Sequence, residues 1–108
     1  MPEPICDLCG APNPTWRYPG QDFIASIGGT PAGISEGDWH VCWQCHTLID
    51  LGDRKALEIR CLDTYIMGHP ESVMDTVWIM DAMRDIQRQF FENRTGKPVR
   101  IEVERASA

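Results

Sequence analysis

The chain has 108 residues, 43% of them hydrophobic, and a net charge of −6. That length fits one small domain, and the apolar content excludes a disordered chain. A core of this size is marginal without help, and a structural metal is a standard form of help. The charge is uneven: residues 1–50 carry six acids against one base, Arg17, whereas residues 51–108 carry ten acids against nine bases. Phosphate binding needs clustered Lys and Arg, and the first half offers almost none. Five cysteines are an odd number, Met1-Pro2-Glu3-Pro4 has neither a basic nor an apolar leader region, and no run of 18 apolar residues occurs. These features predict a reduced, cytoplasmic protein.

Residues 1–14 read as an opening loop kept irregular by Pro4, Pro12 and Pro14, and they hold a first cysteine doublet, Cys6-Asp7-Leu8-Cys9. Gly10 follows it, a residue type that accepts positive φ. Residues 15–41 carry extended signals. Trp16 and Tyr18 alternate, 22–27 is strand-like, 28–33 is a turn or flexible loop, and 37–41 leads as a second strand into Cys42. The second doublet, Cys42-Trp43-Gln44-Cys45, runs into His46-Thr47-Leu48-Ile49, the start of a helix over 43–68 with a kink or cap at Gly52-Asp53. Gly68 is placed as the residue just past its end.

A second helix is expected over 71–94, with Pro70 at its start and Glu71 and Asp75 complementing its dipole. Val73, Val77, Met80, Met83, Ile86 and Phe90 form its inner stripe, widened by Ile79 and Phe91, while Met74 and Trp78 fall among Asp81, Asp85 and Glu92. Residues 98–105 alternate, Val99, Ile101 and Val103 against Arg100, Glu102 and Glu104, as a half-buried strand does.

A C-x-x-C turn aims two thiolates at one ion, and two such turns close a tetrahedral site. Cys6, Cys9, Cys42 and Cys45 are therefore the candidate ligands of one structural Zn2+. Rubredoxin holds iron with two similar doublets in a small acidic chain, but its second doublet is followed by glycine in a loop, and here a helix pattern follows. Four thiols leave no open position for water or substrate, which points to a metal that holds the fold. His40 and His46 flank the second doublet. With four thiols present, their expected role is at the surface or in support of the site, such as a hydrogen bond that orients the knuckle. Cys61 reads as a small buried hydrophobe. Arg84, Arg88, Arg94, Arg100 and Arg105 are interleaved with acids, a solvated face with pairs such as Asp81–Arg84 and Asp85–Arg88.

A knuckle, an extended region and a doublet at a helix N-terminus together resemble the treble-clef zinc finger, which implies a zinc-held scaffold. Residues 6–60 are also similar to small four-cysteine proteins of actinobacteria and their phages. Cys6-x-x-Cys9-Gly10, Trp16-Arg17-Tyr18-Pro19, Asp22-Phe23, Gly37-Asp38-Trp39, Cys42-x-x-Cys45, Leu48-Ile49 and Gly52-Asp53-Arg54 carry that likeness, which brings no activity with it. HNH nucleases use a treble clef with a catalytic histidine near the end of the second strand, where His40 stands, but the rest of the His-Asn-His set is missing.

The expected fold is α+β: a treble-clef-like zinc unit over 1–69 made of knuckle, β-hairpin and helix, then an amphipathic helix and short strand over 70–108, packed on the same domain or used for association. The expected function is a non-enzymatic, zinc-stabilised protein–protein interaction module, such as a regulator or a phage/host adaptor that docks on a larger machine. Trp43, Met74 and Trp78 are the expected contact residues: Trp43 sits inside the second knuckle, and large apolar side chains on a polar sector, as Met74 and Trp78 are, often mark interfaces, the alternative being core positions of a more fully sandwiched helix. Self-association through 71–94 is a related possibility. The alternatives are a nucleic-acid-binding zinc finger, which the charge map opposes, and an HNH-like nuclease, which needs an open coordination position.

Overall fold

A computed structural model describes residues 4–101. Strand β1 (Trp16–Tyr18) turns Tyr18 inward and Arg17 to solvent. After β2 (Phe23–Ile27) and β3 (Thr30–Ser35), strand β4 (Trp39–Val41) returns antiparallel to β1, with Trp16 opposite Val41 and Tyr18 opposite Trp39. Strand β5 (Val99–Arg100) pairs with the other edge of β1, Trp16 opposite Arg100, so the sheet order is β4-β1-β5. The expected strand over 98–105 is shorter here: Pro98 and Ile101 fall outside it, and Val99, expected on its buried side, is exposed, while Glu102, Val103, Glu104 and Arg105 lie outside the described residues.

Strands β2 and β3 form a separate hairpin inserted between β1 and β4. Gly28 and Gly29, at φ 60° and 81°, make its two-residue turn, a conformation suited to glycine because both positions need positive φ. The expected loop over 28–33 is thus a tight turn followed by strand. Pro31 is tolerated because β3 has no neighbour on its outer edge, where a missing N–H costs nothing.

The expected break after the second doublet divides two helices, α1 (Trp43–Leu51) and α2 (Arg54–Gly68). Gly52 adopts φ 73°, its N–H bonds to the Ile49 carbonyl, and the Asp53 N–H reaches the Leu48 carbonyl, which closes α1 in a Schellman motif. The Asp53 carboxylate then accepts the Ala56 N–H at 3.1 Å and caps α2. Gly68 is the last residue of α2 rather than the residue after it, and His69 is the cap.

The expected helix over 71–94 resolves into a 3₁₀ segment (Pro70–Asp75) and helix α3 (Thr76–Asn93). The 3₁₀ segment has no fully buried residue, so little burial favours α geometry in those turns. The inner stripe also differs from expectation. Val73 and Val77 are exposed, and the buried positions of α3 are Ile79, Gln87, Gln89 and Phe90. The reason is phase. From Val73 to Phe90 the expected stripe advances about 3.4 residues per step against the helix's 3.6, so at 100° per residue Val77 lies about 140° from Phe90.

Phe90 joins Tyr18, Val41, Leu57, Cys61 and the four doublet cysteines in one core. Its ring lies 5.0 Å from Trp39 and 5.5 Å from Tyr18. Helix α3 thus packs on the core that contains the sulfurs. It also holds the inserted hairpin. Gln89 Nε2 donates to the Ser26 carbonyl at 2.7 Å, and its Oε1 accepts the Ser26 N–H at 2.8 Å. Among the described residues no helix is long and apolar enough to cross a membrane.

Candidate metal centre

Each doublet is shaped by backbone hydrogen bonds that its own turn creates. In the first knuckle the Cys6 N–H bonds to the Ala11 carbonyl, the Gly10 N–H bonds to the Cys6 carbonyl, and the Cys9 N–H points at Cys6 Sγ at 3.5 Å. Gly10 has the positive φ expected of it, 81°. Asp7 anchors the knuckle to β4: its N–H donates to the His40 carbonyl, and its carboxylate accepts the His40 N–H, each at 2.7 Å. In the second knuckle Cys42 is the N-cap of α1, and its sulfur accepts the Cys45 N–H at 3.5 Å. The positive end of the helix dipole therefore faces the sulfurs and favours thiolate.

The fold brings all four sulfurs within 4.8 Å of one another, and all four cysteines are buried. Cys9 Sγ and Cys42 Sγ lie 3.7 Å apart. A tetrahedron with metal–sulfur bonds near 2.3 Å has an edge of about 3.8 Å, so this cluster fits a tetrahedral thiolate-bound ion. Four thiols this close do not ionise together. Hydrogen bonds from Cys45, then Cys6 and Cys9, push Cys42 below the ordinary thiol range. Those same contacts with Cys42 push Cys6, Cys9 and Cys45 above it. A dication would supply the charge that lets all four be thiolates.

Arg60, on α2, completes the surroundings of the cluster. Its Nη2 lies 3.7 Å from Cys9 Sγ and 3.6 Å from Cys42 Sγ, and it donates to Gln44 Oε1 at 3.0 Å. Burial opposes its charge, but the Cys42 and Cys45 sulfurs more than offset that and raise its pKa. Sequence reasoning missed Arg60. The available signal was an arginine one helical step from Leu57 and next to Cys61, on the side of α2 that turns inward. Cys61 is fully buried as expected, and its proximity helps to push the Cys45 thiol up. Beside the cluster, Ala56, Ile59, Arg60, Asp63, Thr64 and Met67 of α2 line an open groove of about 410 Å³.

The histidines stand outside the sulfur set. His46 Nδ1 is 2.6 Å from the Tyr18 hydroxyl, and its ring stacks on Trp16 at 3.7 Å. Burial lowers the His46 pKa and raises that of Tyr18 to about 12, so a neutral phenol donating to a neutral imidazole fits both. His46 thus braces the second knuckle against β1. His40 is exposed, with Nδ1 3.8 Å from Asp7 Oδ2.

The expected contact residues are exposed: Trp43 to 60%, Met74 to 90% and Trp78 to 65%. Met74 and Trp78 are one turn apart along the 3₁₀ segment and α3, whereas Trp43 lies on α1 between two of the sulfur ligands. Arg84 bonds to Glu58 and Asp81, and Arg88 to Asp85 and Glu92, which supplies both expected i,i+3 pairs. Arg94 lies over the Tyr18 ring. Comparisons of the chain with protein-family models, with curated proteins and with solved structures return no match.

Proposed function

We propose that this chain is a non-enzymatic interaction module in which one Zn2+, held by Cys6, Cys9, Cys42 and Cys45, makes a small scaffold rigid for binding another protein. The observation that carries the reading is the pairing of a buried all-sulfur cluster with exposed Trp and Met side chains elsewhere on the surface. An all-thiolate site is coordinatively closed, so the metal's role is to link folding to binding of the ion. Zinc is favoured over iron because the second knuckle caps a helix rather than entering a glycine loop. Trp43, Met74 and Trp78 are the proposed contact residues.

Elemental analysis of the purified chain should give one zinc per chain, and a red, iron-containing protein would overturn the metal assignment. The functional test is a tagged pull-down from lysate of the source organism, with and without nuclease. Cys42→Ser serves as the unfolded control, and Trp43→Ala and Trp78→Ala as surface variants. A protein partner that survives nuclease and is lost in the surface variants supports the proposal. Recovery that depends on intact nucleic acid overturns it.

A further inference from the structure

Asp63, Glu71, Asp75 and Asp81 fall between Arg60 and Arg84, with no Lys or Arg among them. The same stretch exposes Met67, Val73, Met74, Val77 and Trp78. Val73, Met74, Val77 and Trp78 succeed one another at three- and four-residue steps across the joint of the 3₁₀ segment with α3. Asp81 continues both rows on the side of α3 away from Phe90. The carboxylates here are largely uncommitted. Asp75 is the N-cap of α3 but makes no capping bond through its side chain, and among the described residues Asp81 alone of the four has a basic partner, Arg84. The face is therefore an apolar ridge with surplus negative charge.

We propose that this face docks a cationic amphipathic helix of another protein. The partner's apolar side chains cover Met74, Val77 and Trp78, and its Lys or Arg side chains meet Glu71 and Asp75. The proposal rests on the protein-binding reading above and specifies the chemistry of the partner. Methionine and tryptophan suit such a role, one adapting its shape and the other supplying a large anchor. Charge selects the occupant. A second copy docking through the same face would bring its own carboxylates against these, and nucleic acid or an anionic bilayer would be repelled in the same way.

The test is fluorescence anisotropy of three labelled synthetic peptides of about 18 residues against the zinc-loaded protein. One has leucines on one helical face and lysines on the other, the second has the same composition scrambled, and the third has glutamate for lysine. Trp78→Ala, Met74→Ala and the Glu71→Gln/Asp75→Asn double variant alter exposed side chains, and circular dichroism and zinc content check their folds. The lysine amphipath should bind, weaken as salt is raised, and lose about tenfold in affinity or more with Trp78→Ala and with scrambling. The double variant should reduce the salt dependence. If the glutamate peptide binds as well, or the protein associates with itself in a Trp78-dependent way, the docking face stands and the cationic partner is wrong. If the scrambled peptide binds equally and Trp78→Ala changes nothing, the attraction is bulk charge, and the protein-binding reading fails at this face as well.

Discussion

Replacing Arg60 by methionine removes a guanidinium from the sulfur cluster and keeps an apolar stem. In the zinc-bound form the four thiolates and the dication are formally dianionic, about half a charge on each sulfur. Nη2 lies 3.7 and 3.6 Å from two of these sulfurs. At an effective dielectric of about 20 the two half-charges attract a guanidinium by about 4–5 kcal/mol. Taking the guanidinium partly out of water, and screening at its open edge, offset more than half of that. About 2 kcal/mol remains, which is about thirtyfold in zinc affinity. Competition against a chromophoric chelator near neutral pH should show that loss in Arg60→Met and a smaller one in Arg60→Lys, which keeps the charge but not the fork. Arg60 Nε is a buried donor with no partner among the described residues, and the methionine also removes it. The melting temperature of the zinc-saturated variant should therefore fall less than the affinity loss implies. Affinity within about twofold of wild type would refute this account of how Arg60 acts on the cluster.

Gln89→Leu strips the Ser26 N–H and carbonyl of their partners, and it should cost about 2–3 kcal/mol, lowering the melting temperature by about 10 °C or more. A change of only a degree or two would mean that water replaces the glutamine freely. Gln87 is 3% exposed and neither of its side-chain polar atoms has a partner among the described residues, so Gln87→Met should stabilise by about 1 kcal/mol, and a lower melting temperature would show that the amide is satisfied after all. Asp85 holds the tip of the inserted hairpin by accepting the Gly28 N–H at 2.8 Å. Its pKa lies below the ordinary 3.8, first through the hydrogen bond to Arg88 and then through Gly28. A depressed folded-state pKa gives a contribution that is complete above 3.8 and lost as pH falls below it. Asp85→Ala should speed exchange of the Gly28 amide at neutral pH and remove that acid-side dependence, and an unchanged exchange rate would count against the contact.

Features that depend on short spacing are legible in the sequence alone. The two C-x-x-C doublets name four sulfurs, and the fold places those four within 4.8 Å. Gly52-Asp53 stops one helix and caps the next because both devices act within one turn. The Asp81–Arg84 and Asp85–Arg88 pairs follow from neighbouring positions on one helix face. Tertiary structure decided the rest. Strand β3 forms despite Pro31 and Gly33 because it sits at a sheet edge opposite β2, which local propensity cannot reveal. The exposure of Val73 and Val77 depends on accumulated helical phase and on where α3 meets the core, a balance that a list of three- and four-residue steps misses. Arg60 on the sulfurs and Gln89 on Ser26 join positions 51 and 63 residues apart. Such contacts exist only once α2 and α3 have packed on the cysteine core, because the energy that selects them comes from burial across elements and not from the periodicity of either one.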